Sequence, residues 1–423
     1  MYEETTGNLF VHHDIPLPSY PLCLAHGTIN SDGQAGNYVA VGSFHPGIEI
    51  WNLDILDVLE PDCILGGEDT TRLDEEWRNL ALGNKSKKGK QDNTNKMNRS
   101  KKGPTLRQGS HKDAVMSLSW NPIHRQVIAS GSADKTVKLW DITQQSSTDS
   151  NADKKNGPYT TWTHHKDKVQ SLAWHPNEGT ILASGSYDRF VCIIDARTQD
   201  GSLCKRAKIP ADCEAIAWDP HHPHLLTAAS EDGTVLCWDV RNFGKNHYWS
   251  FVAHEFGGCS DISYNTKIPG MLATCAVDKT VAIWDTMIMA SGANKSTTKP
   301  ISCGSKDMCV GKLYTVSFYS DSPWLLGCGG SGNQLALWDL SSDSSFINRF
   351  SSRIEGSTFF QQNNETPPTE RGQQEEDFEA KMARDDQATA QARNEVSKTQ
   401  HAKMKKGSGA GAKKEKKPFK KIR

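Results

Sequence analysis

Three histidines stand a nearly constant distance ahead of three aspartates, His111 before Asp134, His165 before Asp188 and His254 before Asp278. A hydroxyl residue lies between each pair, at Ser130, Ser184 and Thr274. An imidazole and a carboxylate so regularly placed could form a catalytic dyad. An enzyme needs one such set. Its recurrence points instead to a structural use, a polar clamp buried in each of several similar units. Trp140 and Trp284 follow two of the sets, and Ile194 takes that place in the middle one. His221, His222 and His224 occupy the same turn as Asn121-Pro122-Ile123-His124 and His175-Pro176-Asn177, so they read as turn residues rather than metal ligands. His12-His13 and His164-His165 read the same way. No P-loop, GxSxG, HExxH or paired metal spacing occurs. The expectation is a chain that is not an enzyme and has no metal, cofactor or small-molecule substrate.

The elements that must position these residues recur between residues 20 and 340. The fullest copy is His111-Lys112-Asp113-Ala114-Val115, then SLSWNP (117–122), VIASGSAD (127–134) and KTVKLWD (135–141). A second runs from His165 through SLAWHP and ILASGSYD to VCIID, ending at Asp195. Further copies close at Trp51-Asn52, Trp238-Asp239, Trp284-Asp285 and Trp338-Asp339. The closures at 140, 194, 238, 284 and 338 lie 44 to 54 residues apart, which suits a four-stranded unit of about 40–45 residues carrying loop insertions. Alternation in KTVKLWD sends Val137 and Leu139 to one face of a strand. SADK, SYDR, SEDG and AVDK are tight-turn sequences in which Asp bonds its own backbone. A lone four-stranded sheet cannot bury both faces, so such units must stack in a ring. Six three-strand cores are visible, at 20–53, 114–143, 168–197, 213–241, 259–286 and 314–340. Residues 8–13 form a strand ahead of them, which either completes the last sheet or closes a blade whose other strands are missing.

These residues resemble the WD40 family, whose blades hold a network of His, Ser/Thr, Asp and Trp. Carried over by position, His111, Ser130, Asp134 and Trp140 make one network, and His254, Thr274, Asp278 and Trp284 another. His165, Ser184 and Asp188 make a third without its Trp. LFVHHDIPLPSYPL, the segment 36–61 with IEIWNLDILD, and HKDAV after a Lys-rich insert are similar to the periodic tryptophan protein 1 family, nucleolar WD40 proteins of ribosome synthesis. The resemblance covers most of residues 8–340. It implies an all-β, seven-bladed propeller over 1–350, here with six complete blade cores and a truncated first blade.

Charge is unevenly spread. With 49 Lys+Arg against 50 Asp+Glu the net charge is −1, yet 398–423 holds eleven basic residues and one acid, leaving 38 Lys/Arg against 49 Asp/Glu elsewhere. The insert 84–103 has eight basic residues and one acid, a second insert at 144–158 is polar, and 351–423 reads as a flexible, partly helical extension ending in a Lys-rich arm. Lys85, Lys87, Lys88, Lys90, Lys101 and Lys102 of the insert, with Lys405, Lys406, Lys413, Lys414, Lys416, Lys417, Lys420 and Lys421 of the arm, are candidate RNA-phosphate or nuclear-import contacts. The eleven cysteines lack paired spacing and read as small buried hydrophobes in a reducing compartment. No apolar run is long enough for a membrane-spanning helix.

The family resemblance implies a non-enzymatic scaffold in the nucleus and nucleolus, binding pre-ribosomal proteins and pre-rRNA during large-subunit rRNA processing. A second expectation is a cullin-ligase substrate receptor, because Asp195-Ala196-Arg197 and Trp238-Asp239-Val240-Arg241 resemble the paired Trp-Asp-x-Arg motif of such receptors, with Arg197 and Arg241 as contacts. A histone-binding propeller is the third.

Overall fold

Alternating apolar residues give each repeat an antiparallel meander, and six meanders follow one another along the chain. The fold comes from a computed structural model, which describes residues 14–69, 105–144, 157–198, 204–244, 246–287, 299–332 and 334–354, with residue 11 and strand residues 2–3 and 8–9. Strands β1 (Tyr2–Glu3) and β2 (Asn8–Leu9) pair with each other. The strand expected at 8–13 is therefore a hairpin partner over its described residues, not the missing edge of the last sheet.

The first sheet holds β3 (Pro21–Ile29), β4 (Ala35–Ser43), β5 (Gly47–Asn52) and β6 (Cys63–Gly66). The second holds β7 (Val115–Trp120), β8 (Val127–Ser132), β9 (Val137–Asp141) and β10 (Thr160–Trp162). The third holds β11 (Val169–Trp174), β12 (Ile181–Ser186), β13 (Phe190–Asp195) and β14 (Lys205–Lys208). The fourth holds β15 (Cys213–Trp218), β16 (Leu225–Ser230), β17 (Thr234–Asp239) and β18 (Trp249–Val252). The fifth holds β19 (Cys259–Tyr264), β20 (Met271–Ala276), β21 (Thr280–Asp285) and β22 (Ile301–Asp307). The sixth has three strands, β23 (Leu313–Phe318), β24 (Leu325–Gly330) and β25 (Leu335–Asp339).

One register irregularity recurs near the start of every inner strand, between Pro21 and Cys23, Val115 and Ser117, Val169 and Ser171, Cys213 and Ala215, Cys259 and Asp261, and Leu313 and Thr315. A bulge sharpens local twist, so six equivalent bulges give the six sheets a common bend. The turn after the second strand is also shared by blades two to five. Its fourth residue is left-handed, with φ of 71° at Lys135, 66° at Arg189, 80° at Gly233 and 77° at Lys279. Only one of those four is the glycine that adopts this conformation without strain. The preceding aspartate compensates by accepting the amide of the residue two positions on, as Asp134 Oδ1 does from Thr136 and Asp278 Oδ1 from Thr280.

The core is not one mass. Five apolar clusters lie between successive sheets. Between the first and second, for example, Ile48, Ile50 and Leu65 meet Leu118, Ile128 and Trp140. The inner strands neighbour one another in chain order around a channel of about 590 Å³, to which Leu22, Met116, Gln170, Glu214, Ser260 and Tyr314 each contribute from a different sheet. No comparable packing joins β23 to β3. The architecture is an all-β propeller of six blades, and a seventh is absent among the described residues. All eleven cysteines are free, and six are buried.

After β25 the chain forms a helix, α1 (Ser344–Phe350), capped by Asp343, whose carboxylate accepts the Ser345 amide at 2.8 Å. Phe346 and Phe350 are buried in the last cluster, and the Phe346 ring meets Trp338 edge-on at 5.7 Å. Asp285, almost fully buried at the end of β21, takes the guanidinium groups of Arg349 and Arg353 at 2.7 and 2.8 Å. The chain thus stays packed to Ile354, past the boundary expected at 350. Removing both cations strands a buried carboxylate, a change that costs about 3–5 kcal/mol. The double variant Arg349→Met/Arg353→Met is expected to lower the urea midpoint accordingly, and an unchanged midpoint would show that α1 contributes no ion-pair stability.

Candidate functional site

Each clamp is built where the loop before an inner strand meets the turn after the second strand. In the second blade the Trp140 indole donates to Ser130 Oγ at 2.8 Å. The indole can only donate, so the Ser130 hydroxyl gives its own proton to His111 Nε2 at 2.7 Å, and His111 Nδ1 donates to Asp134 Oδ2 at 3.0 Å. Asp134 also accepts the Lys112 amide and the Thr136 amide and hydroxyl. The fifth blade repeats the chain through Trp284, Thr274, His254 and Asp278, at 3.0, 2.8 and 3.1 Å.

Burial lowers the pKa of His111 and of His254, more than their aspartates raise it. Burial alone would raise Asp134, but the hydrogen bond from His111 and the bonds from Thr136 and Lys112 outweigh it and hold the carboxyl well below its usual range. The pair is therefore a neutral imidazole donating to a carboxylate, not an ion pair. Ser130 and His111 are fully buried, so their relay geometry faces no substrate.

The third blade solves the missing tryptophan by a route that sequence reading missed. Ile194 packs in the core, and His164 takes over the donor role, with Nε2 3.1 Å from Ser184 Oγ. Ser184 then meets His165 Nε2 at 2.8 Å, and His165 Nδ1 meets Asp188 at 3.0 Å. A donating Nε2 leaves His164 Nδ1 as a bare acceptor, and that atom is buried without a partner. Burial, with the charges of His165 and Arg206, takes the His164 pKa down to about 3. The signal was the doubled His164-His165, but only the fold shows which imidazole replaces the indole. His164, His165 and Cys192 bring one potential metal-ligand atom each within 4.8 Å of one another. Both imidazole Nε2 atoms serve Ser184 and His165 Nδ1 serves Asp188, which leaves His164 Nδ1 as the one ring nitrogen of the pair outside the clamp.

The remaining blades are partial. Asp232 accepts from Ser230 Oγ and the Thr234 amide, and Ala228 leaves Trp238 without a hydroxyl. Trp51 donates to Glu49 at 3.0 Å within its own strand. His221 and His222 lie in a turn headed by Asp219, which accepts both their amides. The WD domain, G-beta repeat family matches residues 103–141, 156–195 and 208–239, which carry the networks of the second and third blades and the partial one of the fourth. This is a WD40-repeat propeller protein.

The WD40 chain is 34% identical over 357 residues to periodic tryptophan protein 1 of Saccharomyces cerevisiae, covering 82% of this chain and 56% of that protein. It is 32% identical over 359 residues to an uncharacterized WD repeat-containing protein of Schizosaccharomyces pombe, covering 84% of this chain and 60% of the relative. It is 29% identical over 335 residues to the periodic tryptophan protein 1 homolog of Drosophila melanogaster, with 78% and 61% covered. The chain thus spans between 56% and 61% of these relatives' length.

On the WD40 scaffold, Arg197 and Arg241 are equivalent. Each closes a fork on its own aspartate, Arg197 Nε to Asp195 at 3.0 Å and Arg241 Nε to Asp239 at 2.9 Å, with the rest of the side chain exposed. The pairs brace the strand ends and leave both guanidinium groups at the surface. All fourteen candidate lysines of the insert and arm lie outside the described residues. The flanks of the first insert are described: Glu68 bridges Leu106, the Asp69 amide donates to Thr105 at 2.7 Å, and the Arg107 amide donates to Gly67 at 2.9 Å.

Asp134→Ala is expected to cost about 1–3 kcal/mol, since it leaves His111 Nδ1 buried without its acceptor. Asp278→Ala should behave alike, and unaltered melting in both would refute the clamp. The clamps also set a pH dependence. A histidine whose pKa falls on folding contributes stability that is full above its unfolded value of about 6.5 and is lost below it. For His164 the loss extends down to about pH 3. The depressed aspartates add their loss below about pH 4. Melting temperature should therefore fall steadily from pH 7 to 4.5, and His164→Gln should flatten part of that slope.

Proposed function

We propose that this WD40 protein is a non-enzymatic scaffold of ribosome biogenesis in the nucleus and nucleolus. In this reading the propeller holds pre-ribosomal proteins, and the Lys-rich insert and arm contact pre-rRNA during large-subunit rRNA processing. The observation that carries it is the 34% identity to periodic tryptophan protein 1 across 82% of the chain, together with a sequence resemblance to a family of nucleolar ribosome-synthesis proteins. The charge division supports it. Excess acid over 1–397 favours basic protein partners, and the basic run at 398–423 suits phosphates without reading sequence. The flanks of a second basic segment, the first insert, are joined through Glu68 and Leu106.

The test is gradient sedimentation of nuclear extract. The intact protein is expected with large-subunit precursors, and replacing Lys405, Lys406, Lys413, Lys414, Lys416, Lys417, Lys420 and Lys421 by Gln should shift it to the free fractions. Retention only with a cullin-ligase adaptor, lost in Arg241→Ala, would replace this reading by the receptor. In purified form, RNA affinity should fall linearly with the logarithm of salt concentration. The slope should shrink by about 0.7 for each phosphate contact removed in the lysine variant, and a salt-independent affinity would exclude electrostatic contact by the arm.

A further inference from the structure

The third blade departs from the other clamped blades in one row of residues. Across β12, β13 and β14 that row is Ser184, Cys192 and Arg206. The matching row is Ser130, Lys138 and Thr161 in the second blade, and Thr274, Ala282 and Ser305 in the fifth. Of the three clamps, this one alone has a sulfur beside its hydroxyl. It also closes on a different ring. The indoles of Trp140 and Trp284 donate one proton and have no lone pair to offer. His164 donates at Nε2 and keeps a lone pair at Nδ1, in a side chain only 8% exposed and with nothing in contact to use it.

We propose that His164, Cys192 and Cys204 form a buried site for a soft monovalent metal ion, Cu(I). His164, His165 and Cys192 already gather one potential ligand atom each within 4.8 Å of one another. Both ring nitrogens of His165 are engaged, by Ser184 and Asp188, so His165 supports the site without entering it. Cys204 supplies the further donor. Cys192 gives its S–H to the Cys204 sulfur, and Arg206 Nε donates to the same atom at 3.3 Å, two contacts that favour its thiolate. Arg206 is held at its other end by the His164 carbonyl. The donor set decides the ion. Thiolates select Cu(I) or zinc, but structural zinc takes four ligands, and these residues make three. Charge points the same way. One monovalent ion and the Arg206 guanidinium balance two thiolates, whereas a divalent ion leaves a net charge in a buried setting. Ser184, accepting from His164 Nε2, is the outer contact that fixes the tautomer of a metal-binding imidazole. Loading exchanges thiol protons for the ion. The inference does not depend on the ribosomal reading.

The test uses the purified full chain, reduced and anaerobic, with Cu(I) supplied in competition with a colorimetric Cu(I) chelator. One retained ion per chain is expected, together with a higher melting temperature on loading. Cys192→Ala, Cys204→Ala and His164→Gln should each weaken retention at least about tenfold. The glutamine amide can still donate to Ser184, but it gives up the imidazole lone pair. Cys309→Ser, which alters an exposed thiol, should leave retention unchanged. Cys204 is only partly buried, so the metal-free Cys204→Ala chain is expected to melt within about 2 °C of the parent, which separates loss of the site from loss of the fold. X-ray absorption at the copper edge should show both sulfur and nitrogen neighbours. No retained ion, retention abolished by Cys309→Ser, or retention unaffected by Cys204→Ala and His164→Gln overturns the proposal. So does retention of Zn(II) in preference to Cu(I) when both are supplied, because the site would then be a divalent one.

Discussion

A four-stranded sheet with apolar residues on both faces has nowhere to put them except between two others like itself. That constraint organises the rest of the molecule. It explains why the cores are five slabs between sheets rather than one centre, and why each blade repeats the same bulge, turn and face. Burying a leucine or valine side chain is worth about 1.5–3 kcal/mol, so every junction between blades supplies far more than any single polar contact. In the first and last blades Leu24 and Leu335 are exposed where their equivalents in the other blades are buried. Phe346 and Phe350 of α1 extend the slab between blades five and six.

The clamps act within that frame as pins rather than as the source of cohesion. Each ties a loop before an inner strand to a turn two strands away, using neutral donors and a single carboxylate in a setting from which water is excluded. Low dielectric strengthens a satisfied chain and penalises a broken one. The third blade shows what is required at the tryptophan position: a ring nitrogen able to donate at the right place, which His164 supplies. The fourth blade does without the full network because Ala228 removes the hydroxyl that an indole would otherwise have to satisfy.

Much of this was legible in the sequence, where legibility means a local pattern that burial enforces. The period-two alternation of Val137 and Leu139, the Asp turns and the closing tryptophans located six cores and the two complete clamps. The outer strands were not legible, since Lys205–Lys208 and Ile301–Asp307 are mostly exposed and carry no apolar alternation. The part played by His164 was hidden because it depends on which of two adjacent imidazoles the backbone turns towards Ser184. The ion pairs of Asp285 were hidden because Arg349 and Arg353 reach it from far along the chain. The exposure of Leu24 and Leu335 was equally invisible, because they are the same kind of residue as their buried counterparts. Only their surroundings differ.

The paired flanks of the first insert carry a consequence for how this protein can vary. Because Asp69 and Thr105 are already held together by hydrogen bonds, and Gly67 is bonded to both Arg107 and Ser110, the ends of the segment between them are fixed by the scaffold. Loop closure then depends on length only logarithmically, and doubling the segment costs about 0.6 kcal/mol. The first blade therefore has a permissive splice point, where length and composition can drift, or a reporter domain can be grafted, almost independently of the fold that carries them.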